Sequence, residues 1–119
     1  MAETTRALET LILQESVEAD HIAILTGIAA EKSVLWRGRL LGKVTLTRDQ
    51  DADPGKVLLE SIKRFKGLER RVVILADIDN LDPENDVEQL YVGFSRARTH
   101  LIVIAKPETL ERLNLNVTA

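Results

Sequence analysis

The apolar residues of the chain fall into short continuous runs and into longer segments with helical spacing. The continuous runs predict strands at residues 22–25, 43–47, 57–62, 72–76 and 101–105. The helical spacing predicts helices over about 5–16, 29–40 and 84–96, and a last helix after Lys106. Continuous runs are typical of strands that are buried on both faces. We therefore predict an α/β domain whose mostly parallel sheet of about five strands is flanked by helices.

The predicted helix over 84–96 determines where its neighbouring side chains point. Its apolar stripe, which we expect to face the core, consists of Val87, Leu90, Tyr91 and Phe94. A helical wheel places Arg96 roughly opposite this stripe. Arg98 would return toward the core if the helix continued, so we expect the helix to end before it. In parallel sheets ligands bind beyond the carboxyl ends of the strands, which directs attention to the loops after Leu25, Ile62, Ala76 and Ala105.

Length and composition limit the classes of protein. The 119 residues fit a single domain, 1–119, and the absence of cysteine excludes a disulfide framework, a thiolate nucleophile and a Cys-based zinc site. The two histidines are far apart in sequence, so we predict no metal ligands in this chain. No apolar run approaches the roughly 20 residues of a membrane span, and the polar N-terminus is unlike a secretory signal. We expect a cytoplasmic protein without membrane contact.

The positive charge of the chain is concentrated in one segment. The net charge is −3, but Lys63, Arg64, Lys66, Arg70 and Arg71 lie between Ser61 and Arg71 with the single acid Glu69. Several basic side chains at a strand end suit the phosphates of a nucleotide or of a nucleic acid, and Gly67 allows a tight turn among them. The alternative is a basic loop that only joins two strands.

Arg96 is the second candidate for contact with a phosphate. It stands just before a buried strand, where its planar guanidinium can form two parallel hydrogen bonds to a phosphate group. The alternative is a solvated arginine at a helix C-terminus, where the helix dipole favours a cation.

Two ordered motifs resemble those of a known family. The sequence reads S-I-K-R-F-K-G-L-E at 61–69 and Y-V-G-F-S-R-A-R at 91–98. They resemble T-x-H-x-x-K-G-L-E and Y-V-x-x-T-R-A-K/R of the C-terminal RecA-like motor domain of UvrD/Rep-type DNA helicases, which occur in the same order. The opening helix and H-I-A-I-L-T-G at 21–27 are also similar to that domain, so the resemblance covers nearly the whole chain.

The resemblance implies a three-layer RecA-like fold of the P-loop NTPase type and a role for each matching residue. Arg96 is the expected catalytic residue, an arginine finger that reaches the γ-phosphate of ATP held by an N-terminal RecA-like motor domain. Glu69 and Gly67 are the other expected nucleotide-binding residues, Glu69 through the ribose. The residues expected to contact single-stranded DNA are Ser61, Lys63, Arg64 and Lys66.

Departures from the family pattern limit what this chain does alone. Ser61 and Lys63 replace the family's threonine and histidine and keep a donor at each position, whereas Gly27 stands where an arginine usually ends the first strand. The large inserted subdomain and the phosphate-binding loop G-x-x-x-x-G-K-[ST] are absent from the sequence. We therefore expect ATP and Mg²⁺ only in a complete motor, with the N-terminal domain supplied in cis or in trans, and no ATP hydrolysis by this chain alone.

These observations favour the C-terminal motor domain of an ATP-dependent helicase or translocase. The alternative is a stand-alone, non-catalytic module of the same fold that binds nucleic acid or protein. A small α/β domain without either role leaves the ordered motif pair as a coincidence.

Overall fold

A six-stranded sheet forms the centre of the domain. The computed structural model describes residues 2–42, 44–49, 55–65, 67–82 and 84–113, without the side chains of residues 2 and 37–40. Within these ranges the strands are β1 Ile22–Thr26, β2 Leu40–Leu41, β3 Val44–Thr47, β4 Lys56–Ser61, β5 Arg70–Ala76 and β6 Ala97–Val103. Their order is β2-β3-β4-β1-β5-β6, with β2 antiparallel to β3 and all other neighbours parallel.

The helices of the described ranges are short. They are α1 Ala2–Glu9, which continues as a π-helical turn over Thr10–Gln14, then α2 Val87–Phe94 and α3 Pro107–Arg112. Three 3₁₀ segments lie at Ala19–His21, Ala30–Lys32 and Val34–Arg39. None of these helices has the length and apolar character that crossing a membrane requires.

The prediction of one α-helix over 29–40 is wrong, because Ser33 separates two 3₁₀ segments. Its backbone is extended, with φ −73° and ψ 141°, and its Oγ accepts a hydrogen bond from the amide of Leu35 at 3.2 Å. Serine favours such local bonds over continuing a helix. Val34 and Gly38 add weak helix formers on the far side of the break.

Alternate residues of the central strands fill two separate cores, one on each face of the sheet. Ile22 and Ile24 pack on the side of α1, whereas Ala23 and Leu25 pack on the side of α2. All four are completely buried. Both faces of the parallel strands are therefore covered, and the predicted three-layer α/β fold of the RecA type is confirmed.

Helix α2 presents a different face to the core from the one we predicted. Val87 and Tyr91 are 61% and 72% exposed, whereas Leu90 and Gly93 are buried. The buried face is turned by roughly a quarter of a turn from the apolar stripe. The physical reason is Gly93, whose lack of a side chain lets the helix approach Ile62 and Leu75 closely on that side. The expected helix end before Arg98 is confirmed, since β6 already begins at Ala97.

Candidate nucleotide and nucleic-acid sites

The parallel strands give the sheet two distinct edges, and the predicted site residues divide between them. Thr26 pairs with both Ser61 and Ala76, which defines the carboxyl edge, and Arg70 pairs with Ala97 at the amino edge. Ser61, Lys63 and Arg64 therefore lie at the carboxyl end of β4; we call Ser61–Arg64 the carboxyl-edge turn. Glu69, Arg96 and Arg98, which precede or begin β5 and β6, form what we call the amino-edge site.

The carboxyl-edge turn and the amino-edge site are far apart. Ser61 is level with Ala76, which is six residues beyond Arg70 along β5. At about 3.3 Å per residue the two edges are separated by roughly 20 Å. Glu69 and Arg96 therefore lie at the edge opposite the strand ends to which the sequence directed attention. Lys66 lies outside the described residues.

The segment between the two sites crosses the height of the sheet in eight residues, 62–69. It starts with a turn in which the amide of Phe65 donates to the carbonyl of Ser61 at 3.1 Å. Phe65 is completely buried, and the guanidinium carbon of Arg70 lies 5.8 Å from the centre of its ring. Gly67 has φ +85°, a backbone conformation that favours glycine, and the predicted tight turn is confirmed. This crossover connects the two sites covalently and keeps them on opposite edges.

Arg96 is held by three hydrogen bonds of its guanidinium. Its Nε and Nη2 donate to Oγ of Ser95 at 3.3 and 3.1 Å, and its Nη1 donates to the carbonyl of Leu68 at 3.4 Å. The hydroxyl of Ser95 donates in turn to the carbonyl of Val92 at 3.0 Å, near the end of α2. A guanidinium has five N–H donors, so this arrangement orients Arg96 and leaves two donors for an anion.

Glu69 lies beside Arg96 at the amino edge. The carbonyl of Arg96 accepts a hydrogen bond from the amide of Arg70 at 3.2 Å, which places residues 69 and 96 on adjacent chain segments. The Glu69 carboxylate is 3.8 Å from Nε of Arg98, and both side chains are more than half exposed. An exposed pair at this distance contributes little stability, so the carboxylate is available to the hydroxyl groups of a ligand.

The carboxyl-edge turn offers exposed cations but not an exposed hydroxyl. Lys63 is exposed, and 69% of the Arg64 side chain is accessible. Ser61 is only 6% exposed, and its Oγ accepts the amide of Arg64 at 3.2 Å. Ser61 thus shapes the turn, whereas Lys63 and Arg64 present the charges.

A groove of about 430 Å³ opens beside Lys63, between the crossover and α2. Its lining combines apolar, amide and charged side chains: Ile62, Lys63, Asn85, Asp86, Glu88, Gln89 and Val92. The groove extends the surface of the carboxyl-edge turn along the sheet face that carries α2.

Two features of these sites were not expected from the sequence, the burial of Glu60 and the hydrogen bonds of Ser95. Glu60 is 2% exposed beneath the carboxyl-edge turn, and Ser95 bonds the Arg96 side chain. An acid inside the apolar run V-L-L-E-S-I was the available signal for Glu60. The hydroxyl residue directly before the arginine was the signal for Ser95, because Ser and Thr often bond nearby backbone groups.

The space beside Gly27 is filled by neighbouring side chains. A Cβ at Gly27 would lie 3.0 Å from both Oδ1 of Asn80 and Cγ of Leu81, and Nδ2 of Asn80 donates to the Gly27 carbonyl at 3.1 Å. A side chain at this position, such as the arginine that usually ends this strand in the resembling family, would therefore require Asn80 or Leu81 to shift.

A comparison with family models addresses the motif segment directly. Residues 56–104 match the model of the UvrD-like helicase C-terminal domain, a range that contains both motifs and both sites. This segment, 49 of the 119 residues, is similar to that domain. The resemblance of this segment to the C-terminal domain of UvrD/Rep-type helicases is thereby confirmed. No curated protein matches the chain.

Proposed function

We propose that this helicase domain is the second motor domain of an ATP-dependent DNA helicase or translocase in the cytoplasm. One observation carries the proposal: an oriented arginine, Arg96, stands at the amino edge, while the exposed cations Lys63 and Arg64 stand at the opposite edge. A motor needs such a separation, because the nucleotide and the strand must occupy different sites at the same time.

The amino-edge site offers groups for the phosphates and for the ribose of ATP. Arg96 has two free N–H donors for phosphate oxygens, and the Glu69 carboxylate accepts hydrogen bonds from ribose hydroxyls. Gly67 lets the chain turn just before Glu69. Glu69 is the one carboxylate that we place in this site among the described residues, so we assign Mg²⁺ and the phosphate-binding loop to an N-terminal RecA-like domain, joined in cis or bound in trans.

ATP supplies the phosphoryl group that is transferred to water. The contribution of Arg96 is electrostatic, because its guanidinium stabilises the negative charge that develops on the phosphoryl oxygens. Lys63 and Arg64 bind phosphates of the single strand at the other edge, and we place Lys66 in the same basic segment.

The decisive experiment substitutes Arg96 in the complete motor. We expect Arg96→Ala to lower ATP hydrolysis by about 10³-fold or more, with single-strand affinity unchanged within about twofold. Arg96→Lys keeps the charge but not the planar fork, and we expect an intermediate rate. Normal ATP turnover in Arg96→Ala would refute the arginine-finger assignment.

A non-catalytic binding module is the second candidate, favoured by Gly27 in place of the arginine that usually ends the first strand of the resembling family and by the absence of the inserted subdomain from the sequence. It predicts that the isolated chain binds a single strand in a salt-dependent manner and that Lys63→Ala abolishes this binding. Undetectable single-strand binding by the isolated chain at low salt would refute this candidate.

A further inference from the structure

Glu60 is a buried carboxylate to which the proposed function assigns no role. It is the penultimate residue of β4 and pairs in register with Leu25. Because alternate strand residues share a face, it lies on the same side as Leu58, among the apolar residues that pack toward α2. Only 3% of its side chain is accessible. A charge in such a place is strongly disfavoured unless it is paired.

The two oxygens of Glu60 contact the carboxyl-edge turn. Oε1 accepts a hydrogen bond from the amide of Ser61 at 2.9 Å. Oε2 lies 3.9 Å from Nε of Arg64, whose side chain is 69% exposed. The carboxylate thus lies within ion-pair distance of a guanidinium whose side chain is mostly open to solvent.

We infer that Glu60 restrains Arg64 and thereby weakens the grip of the carboxyl-edge turn on nucleic-acid phosphates. This inference depends on the proposed binding of a single strand at this edge. A phosphate and the Glu60 carboxylate attract the same guanidinium, so part of the attraction of Arg64 is already used within the protein. Lys63 and Arg64 carry two positive charges at the turn, and Glu60 cancels one of them. A strand held this weakly can be released in every cycle of a motor.

A charge-neutral variant separates this role from packing. Gln at position 60 has nearly the same shape and keeps an oxygen for the Ser61 amide, but it removes the attraction to Arg64. We expect Glu60→Gln to tighten binding of a labelled oligothymidine of about 15 nucleotides by roughly three- to tenfold at low salt. The slope of log K against log salt should steepen by up to about one.

Two further variants protect the test against trivial results. Glu60→Met replaces the charge by an apolar side chain of similar length, a change that buried sites often tolerate, and should tighten binding similarly. Glu111→Gln changes the net charge equally on the exposed surface of α3 and should leave affinity unchanged. Circular dichroism and thermal unfolding verify that each variant is folded.

The double variant Glu60→Gln/Arg64→Ala tests the route of the effect. If Glu60 acts through Arg64, the gain from Glu60→Gln should shrink by at least about half in the Arg64→Ala background. A gain that persists in full would overturn the inference, as would unchanged affinity in folded Glu60→Gln. Absence of any salt-dependent binding by the wild-type chain would instead refute the proposed DNA contact itself, so the two failures are distinguishable.

Discussion

The hydroxyl of Ser95 links the end of α2 to the side chain of Arg96. It donates to the Val92 carbonyl and accepts two hydrogen bonds from the guanidinium. The hydrogen bond to the helix therefore orients the hydroxyl that accepts the guanidinium. At the scale of single residues, this contact converts a flexible side chain into an oriented one.

Removal of this hydroxyl should affect catalysis more than folding. We expect Ser95→Ala to lower the kcat of the complete motor by roughly ten- to a hundredfold, because a misplaced guanidinium stabilises the transition state poorly. Ser95→Thr keeps the hydroxyl and should retain most of the activity. Steady-state ATPase assays that resolve kcat from KM measure the effect, and equal rates for Ser95→Ala and wild type would contradict it.

At the scale of elements, α2 packs on the crossover through the bare backbone of Gly93. A Cβ at this position would lie 3.2 Å from Cδ1 of Ile62 and 3.3 Å from Cδ2 of Leu75. Ile62 and Leu75 are both completely buried and have little room to move. This contact sets the position of the helix whose end carries Ser95 and Arg96.

Overpacking this contact should destabilise the domain. We expect Gly93→Val to lower the free energy of unfolding by about 1–3 kcal/mol, because the valine side chain must displace buried atoms. Tyr91→Val is the matched control, since it places the same β-branched residue at a position of α2 that is 72% exposed. Urea denaturation of the two variants gives the comparison, and equal losses would show that the Gly93 contact is not tight.

Helix α3 is attached to the loop after β5 by Asp79. Oδ1 of Asp79 accepts the Lys106 amide at 3.0 Å and the Thr109 hydroxyl at 2.6 Å, and Arg112 donates to the Asp79 carbonyl at 2.9 Å. Partial burial raises the pKa of Asp79. The hydrogen bonds from Thr109 and Lys106 and the charges of Lys106 and Arg112 outweigh this effect, so the pKa lies below its ordinary value.

This pKa predicts an acid-sensitive attachment. A carboxyl with a lower pKa in the folded state stabilises the protein above its unfolded value of about 3.9, and the contribution disappears as the pH falls through the folded value. Stability should therefore decline below about pH 4 more steeply in the wild type than in Asp79→Asn. Asp20→Asn, at an exposed position, should follow the wild-type curve. Parallel pH profiles for the wild type and Asp79→Asn would contradict the assignment.

At the scale of the whole molecule, the sheet separates the two proposed binding sites. The cations of the carboxyl-edge turn and the amino-edge site are about 20 Å apart, and they are joined by a crossover that packs against α2. Sites at this distance without shared partners usually respond independently to substitution.

Independence of the two edges is measurable in the complete motor. We expect Lys63→Ala to weaken single-strand binding while the ATPase rate at saturating DNA stays within about twofold. Arg96→Ala should show the opposite pattern, and the double variant should combine both defects additively. A strong loss of ATPase in Lys63→Ala at saturating DNA would indicate that the edges are coupled.

Sequence reasoning succeeded where the signal is local or repeats along the chain. The apolar runs predicted the parallel strands because a strand buried on both faces tolerates few polar residues. The prediction of a helix over 29–40 was wrong, because the hydrogen bond from the Leu35 amide to the Ser33 hydroxyl outweighed the apolar spacing. The prediction that Val87 and Tyr91 face the core was wrong, because a helical wheel carries no information on the close approach of the helix at Gly93.

The sequence by itself determined the alternation of strands and helices, the tight turn at Gly67 and the identity of the motif residues, since each depends on neighbours along the chain. Only the tertiary structure decided that Arg96 and Glu69 meet at one edge, that Lys63 and Arg64 lie at the other, and that Glu60 is buried beneath Arg64. The physical reason is the parallel pairing of β4 and β5 on either side of β1. This pairing forces the crossover to span the sheet and so separates residues that are close in sequence.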